Sequence, residues 1–214
     1  RGDNIARRGD AAWYDGPSLL ELLEQLPTTQ ERTGGDLLLP VQYVARDGDE
    51  GSGHQPRVAW GRIAHGSVRA GDAVRLFPSN QMATVAEVRR AGSAVAQAQA
   101  GESAGIVLDR QVDVSRGDWI ASPGALTPAK RFEATLAWLD TEAAVPGRKY
   151  WLRHGNRWVQ GRIEAILHRM DIHTLQPTDA HELAVNDIGH VVVELQQALP
   201  VEAYADNRAG GALI

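Results

Sequence analysis

The chain contains 214 residues and has a formal net charge of −5, and this length allows one large domain or two small ones. It contains no cysteine, so a disulfide framework, a thiolate metal site and a cysteine nucleophile are excluded. The acidic balance also argues against a protein that binds nucleic acid nonspecifically through phosphate contacts.

Lysine is rare in this sequence, and its two positions bear on nucleotide binding. A P-loop ends in Gly-Lys-Ser or Gly-Lys-Thr, because the lysine reaches the terminal phosphates while glycine amides surround them. Lys130 follows Ala129, and Lys149 follows Arg148. The sequence therefore predicts no P-loop.

No apolar stretch of the sequence approaches the roughly 20 residues that a membrane-spanning helix needs. The first residues also lack the pattern of a signal peptide. We therefore expect a soluble, cytoplasmic protein that has no membrane partner.

The first predicted element is a helix in the segment GPSLLELLEQLP, residues 16–27. Its leucines recur at i, i+3, i+4 and i+7, which is the spacing of an amphipathic helix. Ser18 and Glu21 have the spacing of a capping box, and Pro27 marks the predicted end. So short a helix cannot bury its leucines alone, and we expect this stripe to dock on another domain.

From residue 37 onward the sequence predicts β-structure. Short apolar segments alternate with turns that contain glycine, as in antiparallel sheets. The predicted strand segments are LLLPVQYVA, RVAWGRI, AVRLF, MATVAEVRR and SAGIVL, and the turns contain Gly66, Gly71, Gly92, Gly101 and Gly117. We expect the turn at Gly66 to need a positive φ, which glycine adopts without steric cost.

A second set of strands follows a predicted linker. The linker is residues 122–128, which contain two prolines and a glycine. Alternating apolar residues predict strands over Phe132–Trp138, Val159–Leu167 and Val191–Leu195.

The predicted fold class is mainly β, because many short strands at regular spacing favour barrels or sandwiches. We expect a helical segment at residues 1–35. Two antiparallel β-barrels are expected to follow, at residues 36–126 and 127–214.

The segment GESAG, residues 101–105, matches the G-x-S-x-G pattern of serine hydrolases. In those enzymes the serine lies on a sharp turn between a strand and a helix. Here Ser103 is followed by IVLDRQVDV, which predicts a strand. We therefore interpret GESAG as a glycine turn between strands and assign Ser103 no catalytic role.

The tripeptide Arg-Gly-Asp occurs three times, beginning at Arg1, Arg8 and Arg116. Recognition by an integrin would need a secreted protein, and nothing in the sequence indicates secretion. Glycine followed by aspartate is common in turns, so we interpret all three as turns.

Four of the seven histidines lie within one stretch and raise the question of a metal site. They are His168, His173, His181 and His190. No H-E-x-x-H spacing occurs among them, and His181-Glu182 lacks a second histidine. We therefore favour surface or hydrogen-bonded histidines over metal ligands.

The six tryptophans and the arginines of the second half could form a basic stacking surface for nucleic acid. These arginines are Arg153, Arg157, Arg162 and Arg169. Residues 127–214 contain nine basic and eleven acidic side chains. We therefore favour aromatic residues in the core or at a protein interface, and nucleic acid is not an expected partner.

Three aspartates, Asp109, Asp113 and Asp118, flank predicted turns. A glycosidase needs two carboxyl groups at a fixed separation. Nothing in the sequence sets that separation, so we assign these residues no catalytic role.

Several segments resemble translational GTPases. GDNIA and AAWYDGPSLLELLEQL resemble the end of the GTPase domain in that superfamily. WGRIAHGSVRAGDAVRL resembles the signature of the barrel that follows, and AGESAGIVL with SRGDWIAS resembles the close of that barrel. FEATLAWL and NDIGHVVVELQQALPVEAY resemble the third domain of elongation factor Tu-like proteins. The resemblance covers essentially the whole chain.

Within this superfamily the sequence resembles one family, the GTPase subunits of bacterial ATP sulfurylases. The segments that carry this resemblance are LPVQYVARDG, LFPSNQMATVAEV, MDIHTL and YADNRAGGALI. Two segments depart from the family pattern. ARRGDAAWY lacks the usual serine-rich Met-Pro run, and the loop at 47–56 is longer than expected. Neither departure falls on a catalytic group.

The resemblance implies a regulatory role. A whole subunit of this family hydrolyses GTP, and it couples this to the formation of adenosine phosphosulfate and pyrophosphate from ATP and sulfate by a smaller catalytic subunit. GTP and Mg²⁺ belong to the GTPase domain of the family, which this sequence lacks. The implied partners are that GTPase domain and the small catalytic subunit. The resemblance also implies that the chain supports and couples rather than catalyses, with no catalytic residue, cofactor-binding residue or metal ligand of its own.

Two alternatives remain open at the level of sequence. The barrels could belong to an elongation factor-like translation protein that binds aminoacyl-tRNA, which would need a basic surface. The chain could also be an independent β-barrel interaction module, although the leucine stripe favours attachment to another domain.

The chain ends in GGALI, residues 210–214, where an apolar strand begins. The resemblance implies that this strand continues in the family. We therefore expect the third domain to be truncated at its last strand.

Overall fold

The computed structural model describes residues 4–9, 13–26, 35–46 and 56–214. The chain divides into two compact units, Arg1–Glu31 and Arg32–Ile214, and each is described by itself. In the described ranges, no helix is both long enough and apolar enough to cross a membrane.

The first unit contains the predicted helix, α1, at Leu19–Gln25. The predicted capping box is confirmed: the Glu21 N–H donates to Ser18 Oγ (3.3 Å), and the Ser18 N–H donates to Glu21 Oε2 (2.7 Å). Leu26 is the C-cap of the helix, and the predicted stop at Pro27 lies outside the described residues. None of the helix residues is buried within the chain, so its leucines form an exposed apolar surface.

Short strands occupy the first part of the second unit, as the alternation of apolar segments and glycine turns predicts. They are β1 (Leu38–Pro40), β2 (Tyr43–Arg46), β3 (Arg57–Arg62), β4 (Ser67–Arg69), β5 (Ala73–Phe77), β6 (Met82–Arg90), β7 (Ser93–Val95), β8 (Gln97–Gln99), β9 (Ser103–Leu108) and β10 (Trp119–Ala121). Each of the five predicted segments contains one or two of these strands.

Hydrogen bonds close this first sheet into a barrel. The antiparallel order is β1-β10-β5-β6-β9-β3-β2, with β7 added to β6, and β4 pairs with β8. Closure comes from Leu38 in β1, whose N–H donates to the His65 carbonyl (3.0 Å) and whose carbonyl accepts from the Ala64 N–H (2.8 Å). Because β1 also pairs with β10 on its other side, both of its edges are bonded.

The barrel encloses an aliphatic core. Side chains that point inward from facing strands fill it, as in other small barrels. Large members of this core are Leu39, Ile63, Leu76, Ile106 and Ile120. Each such buried side chain contributes about 1.5–3 kcal/mol, so this core is the main source of stability for the barrel.

The strand predicted over IVLDRQVDV is wrong beyond Leu108. β9 ends there, and residues 109–118 form a loop that leads to β10. The Asp109 N–H donates to the Thr84 carbonyl (2.9 Å), and the Asp109 carboxylate accepts from the Thr84 N–H (3.0 Å). Because the side chain takes the position that the next backbone acceptor would fill, the ladder with β6 ends at this point.

The rest of the second unit contains a second antiparallel sheet and a short helix. These elements are β11 (Ala129–Ala137), β12 (Lys149–His154), β13 (Arg157–Met170), β14 (Pro177–Thr178), β15 (Ile188–Leu199) and α2 (Arg208–Gly211). The sheet has the order β11-β15-β13-β12, with β14 added to β13. Its core includes Val159, Ile163, Val191, Val193 and Leu195, which the predicted alternation placed on one face.

The predicted linker, residues 122–128, contains neither helix nor strand, and all of it is described. It is nevertheless packed, because Ala125 and Leu126 lie against Trp119 and Leu38 of the first barrel. The domain boundary between residues 126 and 127 stays a prediction.

The alternation predicted along Val159–Leu167 is correct only as far as Ile163. The register with β15 shifts between Ile163 and Ala165, which is a β-bulge. Beyond the bulge Ile166 packs on the core, whereas Leu167 is 45% exposed. One extra residue in a strand exchanges its two faces, and a simple alternation does not reveal it.

The last residues of the chain pair with β12. The Ile214 N–H donates to the Arg153 carbonyl (2.9 Å), and Leu213 packs against the core of the second sheet. The strand predicted to begin at Gly210 is wrong at its start, because Gly210 and Gly211 belong to α2 and only an isolated bridge between Leu213 and His154 follows. That the third domain is truncated at its last strand stays a prediction.

The turn at Gly66 generates a stability prediction. Gly66 has a φ of +71°, as expected, and a side chain there would overlap the carbonyl of Asp36. Gly71 has a φ of +93°, but no atom lies within 4 Å of the position of its Cβ. We expect Gly66→Ala to lower the free energy of unfolding by about 2–4 kcal/mol, against about 1 kcal/mol for Gly71→Ala.

Denaturant titration of the two glycine variants measures this difference. Both substitutions strain the backbone, and only the one at Gly66 adds a steric overlap. Equal losses for the two variants would show that Asp36 does not constrain the turn.

Candidate functional site

Two turns from different sheets meet in the second unit. The first is Arg116-Gly117-Asp118, which leads into β10, and the second is the Gly155–Asn156 turn between β12 and β13. We call residues 116–119 and 154–157 the junction. Its contacts decide how the first barrel is held against the second sheet.

An aromatic stack lies at the centre of the junction. Trp119 is the first residue of β10, and His154 is the last residue of β12. Their ring planes differ by 16° and their centroids lie 5.4 Å apart, and both side chains are almost fully buried. Because Trp119 also packs on Leu38 and Ala121, the stack joins the first barrel to the second sheet.

His154 is buried as a neutral imidazole. Its Nε2–H donates to the carbonyl of Gly210 (2.9 Å), and among the described residues its Nδ1 has no hydrogen-bond partner. Burial lowers the pKa of His154, and the bond to Gly210 offsets only part of that effect. A proton on Nδ1 would therefore be a buried charge without a partner.

An ion pair lies beside the stack. Arg157 Nη1 is 3.0 Å from Asp118 Oδ1, and the two side chains are 24% and 13% exposed. Asp118 Oδ2 also accepts from the Ser115 N–H (2.8 Å). Burial raises the pKa of the Asp118 carboxyl, and the bonds from Ser115 and Arg157 offset only part of this. Desolvation of the two charges offsets much of their attraction, so the pair adds little net stability. Its main effect is to favour one arrangement of the two turns.

The third Arg-Gly-Asp tripeptide is a turn, as predicted, and it also forms half of the junction. Arg116 Nη2 donates to Asn156 Oδ1 (3.2 Å). Gly117 has a φ of +93°, and its Cβ would lie 3.1 Å from the carbonyl carbon and oxygen of Asn156. With Asp118 bound to Arg157, all three residues contact the β12–β13 turn. Turn chemistry alone does not reveal this role, because the contacted residues are distant in the sequence.

The other two Arg-Gly-Asp tripeptides are only partly described. Arg1–Asp3 lies outside the described residues, as does Asp10 of the second tripeptide. Arg8 Nη2 lies 3.3 Å from Asp15 Oδ1 in an exposed ion pair.

The GESAG segment is the predicted turn between strands. Gly101 has a φ of +88° and lies between β8 and β9. Ser103 is the exposed first residue of β9. No helix follows it, so the strand–turn–helix arrangement of a serine hydrolase is not formed.

Two of the four histidines considered as metal ligands lie side by side. His168 on β13 and His190 on β15 stack with centroids 5.3 Å apart, and His190 Nε2 lies 3.2 Å from a Glu133 carboxylate oxygen. His173 and His181 lie on exposed loops. In the part of the chain that the structure describes, no group of three or more potential ligands could hold a metal ion.

The three aspartates considered for glycosidase chemistry have separate structural roles. Asp109 ends the β6–β9 ladder, and Asp118 belongs to the junction. Asp113 is exposed and lies 3.6 Å from Arg57 Nη1. None of these contacts forms a pair of carboxyl groups around an open cleft.

Three of the four arginines considered for a nucleic-acid surface are held in separate ion pairs. Arg157 lies in the junction, Arg162 pairs with Glu194, and Arg169 pairs with Asp187. Of the tryptophans there, Trp138 packs on the second core, whereas Trp151 and Trp158 are exposed.

The junction can act mechanically rather than chemically. Its charged side chains are held by contacts within the chain: Asp118 pairs with Arg157, and Arg116 donates to Asn156. What it can do is hold two sheets in a fixed mutual orientation. That the chain has no catalytic residue stays a prediction.

Comparison with known proteins extends this picture. Residues 131–214 match the family model described as GTP-eEF1A C-terminal domain-like. Sulfate adenylyltransferase subunit 1 of Chromobacterium violaceum is 36% identical over 217 residues, which cover 100% of this chain and 44% of that protein. The subunit of the same name from Methylorubrum populi is 38% identical over 215 residues, which cover 100% and 45%.

A third relative is the bifunctional enzyme CysN/CysC of Xylella fastidiosa. It is 35% identical over 215 residues, which cover 100% of this chain and 34% of that protein. The chain therefore spans less than half the length of these curated relatives.

Two solved structures have the same fold. Sup35 in complex with GDP has a TM-score of 0.77 at 20% identity, covering 99% of this chain and 52% of that one. Sup35 in complex with GMPPNP has a TM-score of 0.72, with the same identity and coverage. At this identity the likeness shows the fold alone, and it confirms the predicted mainly β class.

The ion pair of the junction generates the second prediction. We expect Arg157→Met to lower the free energy of unfolding by about 1–3 kcal/mol, because it leaves the Asp118 carboxylate buried without its charged partner. Arg131→Met is the matched control, since Arg131 makes an equally direct but exposed pair with Glu164 (2.7 Å) and such pairs contribute little. Thermal and denaturant unfolding compare the two variants. A loss for Arg131→Met as large as for Arg157→Met would contradict a special role for the junction.

The buried histidine generates the third prediction. Because the pKa of His154 is lowered in the folded state, the unfolded chain binds the proton more tightly. The contribution of this residue is therefore complete above the unfolded pKa of about 6.5 and is lost as the pH falls below it. Between pH 7.5 and 5.5 we expect stability to fall more steeply in the wild type than in His154→Phe.

The control for this titration is His181→Phe, which changes an exposed loop histidine. It removes an imidazole from the same chain without changing the junction. A His154→Phe slope identical to the wild type would show that His154 does not lose its proton on folding.

Proposed function

We propose that this chain, which belongs to the sulfate adenylyltransferase subunit 1 family, is the part of that subunit that supports the GTPase domain and couples it to a catalytic partner. The observation that carries the proposal is similarity along the whole chain, at 34% to 38% identity to subunits of this name. This similarity also confirms the family resemblance of the motifs.

The reaction that we propose for the whole subunit is the one its family resemblance implies. GTP hydrolysis would be coupled to the formation of adenosine phosphosulfate and pyrophosphate from ATP and sulfate. GTP and Mg²⁺ would bind outside this sequence, which is supported by the lack of a Gly-Lys-Ser/Thr motif at Lys130 and Lys149. The relatives, more than twice as long, have room for such a domain.

The junction supports a coupling role. A signal that passes between domains needs elements that move together rather than independently. The Trp119–His154 stack and the Asp118–Arg157 pair hold the first barrel and the second sheet together. We propose that they transmit a change of nucleotide state as one body.

Helix α1 supports the proposed contact with the GTPase domain. Its leucines Leu19, Leu20, Leu22 and Leu23 are between 44% and 56% exposed within this chain. A stripe of four exposed leucines is costly to leave in water. We infer that the GTPase domain covers it, as the resemblance of this segment to the end of that domain implies.

The second proposed partner is the small catalytic subunit, which would carry out adenylyl transfer. Since the proposed reaction consumes ATP and GTP, nucleotides of the cytoplasm, we infer a cytoplasmic location.

The fourth prediction tests this function in two steps. Alone, the chain should bind neither GTP nor ATP in titration calorimetry with Mg²⁺. Within the full-length subunit, and with the small subunit added, it should support GTP-dependent release of pyrophosphate from ATP and sulfate. A micromolar nucleotide site in the isolated chain, or a full-length pair without this activity, would contradict the proposal.

The same experiment separates coupling from catalysis. In the full-length pair, Arg157→Met should reduce the stimulation of pyrophosphate release by GTP while leaving GTP binding unchanged. Arg131→Met is again the control. Retention of aminoacyl-tRNA by the full-length subunit at moderate salt would favour the translation factor instead.

A further inference from the structure

The hairpin formed by β12 and β13 has an unusual outer face. Trp151 and Trp158 are 62% and 57% exposed there. The alternate residues Tyr150 and Leu152 point inward and pack on the second core. The two tryptophans thus project from strands whose opposite face is packed on the second core.

The two tryptophans are neighbours on this face. Trp151 pairs with Gln160 across the strands, and Arg153 pairs with Trp158. Trp151 and Trp158 are therefore diagonal neighbours on the same side, close enough for large side chains to form one surface. The Arg153 guanidinium lies 5.9 Å from the centroid of the Trp158 ring, which adds a cation to the aromatic surface.

The charge of the hairpin is opposite to that of the chain. The chain has a net charge of −5, but residues 149–163 contain four basic side chains and no acidic one. The basic residues are Lys149, Arg153, Arg157 and Arg162. Arg157 forms an ion pair with Asp118, and Arg162 forms one with Glu194 (2.6 Å). Lys149 has no ion pair among the described residues, and Arg153 donates only to a backbone carbonyl, that of Gly155. Two cations beside two tryptophans therefore remain available to a partner.

We propose that this face, formed by Lys149, Trp151, Arg153 and Trp158, is the docking surface for a carboxylate-rich surface of the small catalytic subunit. The proposal rests on the proposed function, since it names the site at which that partner binds. Tryptophan and arginine are the residues most enriched among those that dominate binding energy at protein interfaces. The two free cations select a partner surface of opposite charge.

Other occupants fit the face less well. A nucleic acid would need several phosphate contacts, whereas this face offers two cations without an ion pair among the described residues, and Arg162 is already paired with Glu194. A second copy of the chain, docked by a twofold axis, would bring this positively charged face against the same positively charged face. An acidic protein surface meets both the charge and the aromatic character.

The test measures the affinity of the small subunit for the full-length subunit by titration at low and at high salt. Trp151→Ala combined with Trp158→Ala should weaken binding at least tenfold at both salt concentrations. Lys149→Glu should weaken it at least tenfold at low salt and by less at high salt, because salt screens exposed charges.

Matched controls come from the same chain. Tyr43→Ala removes an aromatic residue that is 63% exposed on the first barrel, and Lys130→Glu reverses the only other lysine. Both should leave the affinity within twofold of the wild type. The melting temperature of every variant is measured as a check on folding. If the double tryptophan variant melts at a lower temperature than the wild type, the Lys149→Glu variant alone tests the proposal.

The outcomes separate this inference from the proposed function. If wild-type subunits bind and activate each other, but both face variants bind within twofold of the wild type, the docking surface is wrong and the function stands. If the wild-type subunits neither bind nor react, the proposed function fails and the docking site with it. The proposal would also be wrong if the face variants bound single-stranded RNA less tightly than the wild type but bound the small subunit equally well.

Discussion

The arrangement of the second unit depends on the buried stack of Trp119 on His154. Both rings are withdrawn from water at the place where the first barrel meets the second sheet. The stack favours the neutral imidazole, because a proton on Nδ1 would be buried without a described hydrogen-bond partner. It also needs a close approach of the two turns, which the positive φ and missing side chain of Gly117 permit.

One hairpin links the junction to the proposed docking surface. The end of β12 and the start of β13 supply His154 and Arg157 to the junction. The same two strands present Trp151 and Trp158 outward. A partner on the outer face would therefore contact the element that also holds the first barrel. This gives a short physical path for coupling, and it needs no catalytic group in the chain.

Much of the fold could be predicted from the sequence, because its determinants are local. The capping box at Ser18, the glycine turns and the period of two in β-strands all depend on neighbouring residues. Errors arose where a distant contact intervened. Asp109 ends β9 through its bonds to Thr84, and a bulge after Ile163 moves Leu167 to the solvent face. Neither effect has a signature within a window of a few residues.

The sequence by itself determined the fold class, the helix of the first unit, the lack of a P-loop and the family resemblance, since each rests on residue types at fixed spacing. Only the tertiary structure decided what the third Arg-Gly-Asp turn and the exposed tryptophans contribute. Asp118 and Arg157 are far apart in the chain, and their pairing follows from how the two sheets pack. Trp119 and Trp151 are both tryptophans in β-strands, yet one is buried and the other exposed. Burial depends on which faces of the sheets are covered, and the closure and packing of whole sheets set this.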